Sequence, residues 1–220
     1  MPRLKIAHLC WESLHAVREG GLSPAATHLA EVLSGTHEVH FFTRGDGPDR
    51  TIGGVFYHFC QPEGEGILQY CLDMSRQILD KFRDADNPPF DIIHFHDWHC
   101  SDALEELKER TTVMSYHSTE YGRNGNNFGN SPEFLAIAAK EWRAGHTARH
   151  VTTVSNHTKT EIMWLYGIPE RNITVVPNGI YPDVYFLPLD AGQVKKRYGI
   201  HPLAPLVLFI GRLVYQKGAD

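Results

Sequence analysis

Eight short apolar runs alternate with longer helical patterns along this chain, and that alternation restricts the fold more than any other feature. The runs lie at 4–10, 38–43, 55–60, 91–96, 112–117, 151–155, 172–177 and 206–211. In the first, only Lys5 and His8 interrupt the apolar sequence. Runs this short, β-rich and largely continuous read as strands buried on both faces of a parallel sheet.

The intervening segments carry helix spacing. Ser23 is placed as an N-cap with Pro24 at the first helical position, followed by Ala26, Leu29, Ala30 and Leu33 on one face. A second helix is expected over 66–83 on Leu68, Leu72, Ile78, Leu79 and Phe82. Others are expected over 101–110, over 131–146 behind Ser131-Pro132-Glu133, and over 156–166, closed by Gly167 and Pro169. Strand, helix, strand in this order predicts right-handed βαβ units and an α/β, doubly wound, Rossmann-like parallel sheet. Such sheets bind ligands beyond the carboxyl ends of their strands.

A Pro-rich stretch from Pro177 to Pro205, with a short basic helical piece at 193–198, marks a boundary. The expected division is a domain over 1–187, a linker over 188–205, and over 206–220 the first strand and loop of a second domain that the chain lacks.

Composition excludes several classes. With 21 Lys plus Arg against 26 Asp plus Glu, the formal charge is −5, which argues against a nucleic-acid partner. Hydrophobic residues at 42% and charged residues at 21% fit a globular chain rather than a disordered one. No apolar stretch is long enough for an integral membrane segment, and the first residues do not form a signal-peptide core. Cys10, Cys60, Cys71 and Cys100 are scattered without a CxxC pair, so free thiols in a cytoplasmic protein are expected.

The strand tips hold the chemistry. After the first run, Gly20-Gly21 precede a helix, where bare backbone and a positive dipole end suit a phosphate or sugar oxygen, or form only a turn. After the fourth come His94, His96, Asp97, Trp98 and His99. His94 and His96 share a strand face. With His99, and with His117 from the next tip, they would make a zinc set for a hydrolase. Alternatively, Asp97 and Trp98 line a sugar site, through hydroxyl hydrogen bonds and a ring face. After the fifth, His117 opens a loop dense in polar groups and glycine, including Glu120. After the last, Arg212 and Lys217 in a glycine-flanked loop suit a diphosphate: Arg offers a planar fork and Lys a point charge. A non-catalytic sugar-binding module on the same fold is a further alternative.

The ordered segments REGGLSPAATHLAEVLSGTHEVHFFTR (18–44), DIIHFHDWH (91–99), SYHSTEYG (115–122), TTVSNHTKTEI (152–162), VVPNGI (175–180) and FIGRLVYQKGAD (209–220) resemble the retaining glycosyltransferases of family 4, including glycogen and starch synthases. The resemblance implies the N-terminal, acceptor-side domain of the glycosyltransferase-B fold. It implies transfer of a sugar, with retention, from a nucleotide-sugar donor of the UDP- or ADP-glucose type to a carbohydrate acceptor. No metal or other cofactor is implied, because cationic side chains and helix termini replace it. By the same resemblance, Gly20 and Gly21 approach the donor phosphates and sugar. His117 lies close to the reacting sugar, Asp97, Trp98 and Glu120 are acceptor-side, and Arg212 and Lys217 neutralise the leaving diphosphate. Two departures bear on the glucan acceptor: Arg18-Glu19 precede the glycines where the synthases read Lys-Thr, and the loop HSTEYGRNGN differs from theirs. The family's donor-sugar glutamates would lie beyond residue 220, so the chain alone is expected to be inactive.

Overall fold

The computed structural model describes residues 2–211, 213, 217 and 218, Tyr185 by its backbone alone, and divides the chain into two compact units, Met1–Asn178 and Gly179–Asp220. The first unit holds one sheet in the order β3-β4-β2-β1-β5-β6-β7-β8. Its strands are β1 (Lys5–Cys10), β2 (Glu38–Arg44), β3 (Arg50–Ile52), β4 (Val55–Cys60), β5 (Ile92–His96), β6 (Thr112–Tyr116), β7 (His150–Thr153) and β8 (Ile173–Val175). All neighbouring pairs are parallel except β3 with β4.

The doubly wound architecture is as expected, with one antiparallel edge added. Strand β3 is three residues long and mostly exposed, and it pairs through a Gly53-Gly54 turn in which both residues have positive φ. That turn matches the twist of a hairpin, but a polar strand of three residues has no periodicity to read.

Order along the sheet fixes where a ligand can sit. The chain leaves β1 toward β2 and β4, then returns to the other side of β1 as β5. The direction reverses between β1 and β5, and in open sheets of this kind ligands bind outside the carboxyl ends at such a reversal.

Helices α1 (Leu22–Ser34), α2 (Gly66–Ala85), α3 (Glu120–Arg123), α4 (Pro132–Thr147) and α5 (Asn156–Tyr166) cover the sheet. Helix α2 buries Cys71, Met74, Ser75, Ile78, Leu79 and Phe82, a stripe spaced by three and four residues. Each large apolar side chain buried in such a stripe stabilises the fold by about 1.5–3 kcal/mol. Ser131 and Ser155 cap α4 and α5 by accepting from the amides of Phe134 and Thr158, and Gly167 closes α5 in the left-handed conformation. The helix expected over 101–110 is instead a 3-10 segment, Trp98–Leu104, followed by turns and packed against both α2 and α4. No helix of the described residues is long and apolar enough to cross a membrane.

The second unit contains α6 (Pro182–Tyr185) and α7 (Ala191–Arg197). The strand expected at 206–211 does not form; Val207 and Ile210 are almost fully exposed. An isolated strand leaves its backbone groups unpaired, and the described residues of this unit offer no second strand.

Candidate functional site

The parallel register sets histidines of β1 and β5 side by side, and His117, just beyond β6, joins them at the carboxyl end. His8 on β1 lies beside His94 on β5, and Ser115 on β6 lies beside His96. His8 Nδ1 and His96 Nε2 are 3.0 Å apart, and His96 Nδ1 and His117 Nε2 are 3.1 Å apart. His94 Nε2 instead meets Ser115 Oγ at 2.6 Å, and Ser115 Oγ in turn meets Thr152 Oγ1. Burial lowers the His8 pKa to about 4 and holds His94 and His96 well below the ordinary range, because the charged form loses its water. His8, His94 and His96 each offer a nitrogen within 4.8 Å of the other two. His99 is not part of that group.

Asp97 anchors His117. Its Oδ1 accepts the backbone N–H of His117 at 2.8 Å, and its own amide donates to Ser115 O at 2.9 Å. Asp97 does this with φ at 56°, a left-handed conformation for a non-glycine residue. It is only 5% exposed. The side chain expected to meet acceptor hydroxyls therefore holds the loop from beneath.

Trp98 also departs from its expected role. It is 3% exposed and packs with Cys71 and Ile137. One face stacks on His99, with ring centroids 4.3 Å apart, and the other face of the stack is Trp11, also at 4.3 Å from His99. The Arg44 guanidinium lies 3.4 Å from the Trp11 ring centroid and pairs with Glu19. A ring in such a stack is an internal support, not an open platform for a pyranose. His99, enclosed by the two indoles, is kept neutral by burial first and by Arg123 and Arg44 second.

The loop after β6 is tied to α4. Thr119 Oγ1 accepts from the amide of Gly122, opening α3. Glu120 pairs with Arg123, and Arg123 pairs with the buried Glu141 of α4. Glu141 also accepts from the amide of Glu120 and the hydroxyl of Tyr166. Burial raises the Glu141 pKa to about 7, against the pull of Arg123. Glu120 thus faces its own loop's arginine in this structure.

The glycine loop has its own resident anion. Glu12, 2% exposed, accepts from the amides of Glu19 at 2.6 Å, Gly20 at 3.2 Å and Ser23 at 3.1 Å. This explains why α1 begins at Leu22 with Gly21 as N-cap, rather than with Ser23 capping. The carboxylate arrives from upstream and satisfies the helix N-terminus. The Ser23 hydroxyl is left buried without a partner among the described residues. A Cβ on Gly20 would meet only Glu12 Oε1 at 3.8 Å, and one on Gly21 nothing within 4 Å. The chain itself therefore gives no steric reason for either glycine.

Of the two cationic candidates, Arg212 lies outside the described residues. Lys217 lies in the second unit and is exposed.

The family model described as Glycosyltransferase Family 4 matches residues 19–184, well over half of the chain. The chain belongs to glycosyltransferase family 4. An uncharacterised glycosyltransferase of Methanocaldococcus jannaschii is 32% identical over 227 residues, covering 99% of this chain and 57% of that protein. Two solved structures share the glycosyltransferase-B fold of the family. Sucrose-phosphate synthase of Thermosynechococcus elongatus matches with TM-score 0.67 and 14% identity, over 89% of this chain and 53% of that one. The catalytic domain of starch synthase IV of Arabidopsis thaliana, solved with ADP and acarbose, matches with TM-score 0.61 and 16% identity, over 84% and 53%. This family 4 chain thus spans about half the length of these three proteins.

Three residues that organise the site were not singled out from the sequence. His8 and Glu141 left a signal: each is a polar residue in an otherwise buried stripe, His8 in β1 and Glu141 among Phe134, Ile137, Ala144 and Gly145 of α4. Glu12 left none, because the loop that carries it has no periodicity.

Proposed function

We propose that this chain is the acceptor-side half of a glycosyltransferase that moves a hexosyl group from a UDP- or ADP-sugar to a carbohydrate acceptor with retention. Family membership supports transferase chemistry. The observation that carries the reading is His117, held just beyond the tip of β6 by Asp97 and His96, at the carboxyl end where the strand order reverses between β1 and β5. Coverage of about half of the Methanocaldococcus jannaschii protein and of the starch synthase domain fits a donor-binding domain that follows in a longer protein.

As the nucleoside diphosphate leaves, positive charge develops at the anomeric carbon and negative charge on the phosphates. Arg212 and Lys217 are assigned to that diphosphate, which removes the need for a metal ion. Gly20-Gly21, with no internal reason to lack a Cβ, are assigned to close approach by the donor; the amide of Gly20 already serves Glu12, so the approach is to bare backbone. Glu120, turned by rotation about its side-chain bonds, is the acceptor-side candidate at the surface. The four cysteines are free and buried, which fits work in a reducing cytoplasm.

The test is transfer assayed on the chain extended to the length of its relatives, with UDP-, ADP- and GDP-sugars and the product anomer read by NMR. The α-linked product from an α-linked donor is expected, and His117→Ala should cut turnover far more than donor affinity. An unchanged turnover removes His117 from the site. Residues 1–220 alone should not turn over nucleotide sugar, and turnover by them would end the proposed division of labour.

A further inference from the structure

His117 is the outer end of a chain of three imidazoles, His8–His96–His117, joined by two hydrogen bonds. The far nitrogens of the two ends, His8 Nε2 and His117 Nδ1, are buried and unpartnered among the described residues. Each neutral imidazole carries one N–H and one lone pair. The three protons can therefore be arranged in only two ways that keep both hydrogen bonds. In one, the donors point outward: His8 Nδ1–H to His96 Nε2, then His96 Nδ1–H to His117 Nε2. In the other, every proton sits on the opposite nitrogen.

Each arrangement leaves one orphan N–H, at His117 in the first and at His8 in the second. A buried N–H without an acceptor is a rare and costly state. His8 is fully buried in the middle of the sheet, stacked against Phe41, where no ligand can arrive. His117 is partly exposed just beyond a strand tip. The outward arrangement puts the unpaired donor on the end residue that reaches the surface; its Nδ1 is itself covered, and uncovering it would let a ligand satisfy it.

We propose that His96 and His8 are positioning residues that hold His117 as its Nδ1–H tautomer, so that His117 offers a sugar hydroxyl oxygen a hydrogen-bond donor. The role of the sugar rests on the proposed transferase site; the tautomer does not. A metal bound to His8, His94 and His96 is the competing use of the same nitrogens. Both nitrogens of His96 are already taken by the other two imidazoles of the chain, so an ion would have to break one of those bonds.

The test is nitrogen-15 NMR of this chain labelled at histidine, near pH 7.5. A free imidazole in water favours the proton on Nε2. Here His8, His96 and His117 should all show a protonated Nδ1 and a bare Nε2. In His96→Leu, His117 should shift to the Nε2–H form. In His96→Asn, whose amide N–H can replace the lost donor, the Nδ1–H form should return. If the leucine variant does not fold, the wild-type spectrum still decides. A His117 protonated at Nε2 in the wild type overturns the proposal, as does a His117 tautomer indifferent to His96→Leu. Stoichiometric zinc in the purified protein, lost in His8→Phe, overturns it as well. In the extended chain, His96→Leu should lower kcat about 10-fold or more with little change in the donor KM, and His96→Asn should recover most of it. If transfer is absent but the nitrogen pattern holds, the functional reading fails and the imidazole chain stands.

Discussion

The backbone N–H of His117 donates to Oδ1 of Asp97 at 2.8 Å, and Asp97 makes this bond from a left-handed backbone. With ψ at −179° this is a region that residues other than glycine rarely enter, at a cost of about 1–3 kcal/mol. Asp97→Ala removes the acceptor and keeps the strain, so it should destabilise the chain by the cost of the orphaned amide, about 1–3 kcal/mol. Asp97→Asn retains an oxygen acceptor and should lose less than half as much. Urea unfolding of both variants checks this, and equal losses would mean that the bond to His117 contributes nothing.

Glu12 should prove to be what builds the glycine loop. Glu12→Ala leaves the amides of Glu19, Gly20 and Ser23 without their acceptor, at a cost of about 1–3 kcal/mol. Hydrogen exchange at residues 19–23 should accelerate in this variant. Unchanged protection there would show that the carboxylate is not what orders the start of α1.

Trp98 distinguishes an internal support from a sugar platform. Its ring is buried against His99, Cys71 and Ile137. Trp98→Ala should therefore cost about 3–5 kcal/mol of stability. A side chain kept for sugar stacking would sit exposed, and its removal would lower acceptor affinity while leaving the melting temperature nearly unchanged. Thermal unfolding and acceptor titration of one variant decide between these.

Acid should unfold this chain early. Burial holds His8 at about 4, and His94, His96 and His99 well below their unfolded value near 6.5. Between pH 6.5 and 4 the unfolded chain binds protons at these positions that the folded chain refuses, so stability rises with pH in this window. It is fully present above about 6.5 and is lost as the pH falls, by about 1.4 kcal/mol per pH unit for each group. Glu141, raised to about 7, works in the opposite sense: the folded chain keeps its proton, so its contribution weakens as pH rises from about 4.5 to 7. Burial lowers His40 and His58 in the same way, so with six imidazoles against the Glu141 carboxyl, Tm should fall steeply below pH 6.5. A flat Tm from pH 6.5 to 5 would mean that these imidazoles are not shielded.

Most of the sheet was legible because its signals are local. The span 55–60 is β4 to the residue, 156–166 is α5 to the residue, and Ser131 caps α4 where the Ser-Pro-Glu pattern places it. Strand 206–211 failed for a reason a local pattern cannot contain: a strand needs a neighbour, and an apolar run reads the same with or without one. Ser23 failed as a cap because the competing carboxylate comes from Glu12, outside any element.

The order of apolar runs by itself determined that this chain builds a doubly wound sheet with its polar tips at one end, since periodicity is a property of consecutive residues. Only the tertiary structure decided which tips meet. Register across β1, β5 and β6 joined His8 to His96, 88 residues away, and His96 to His117, 21 residues away, and left His99 between two indoles. It turned Trp98 inward and put the carboxylate of Asp97 under the backbone of His117. Such meetings depend on strand pairing and helix docking, which act over distances that no neighbouring residues record.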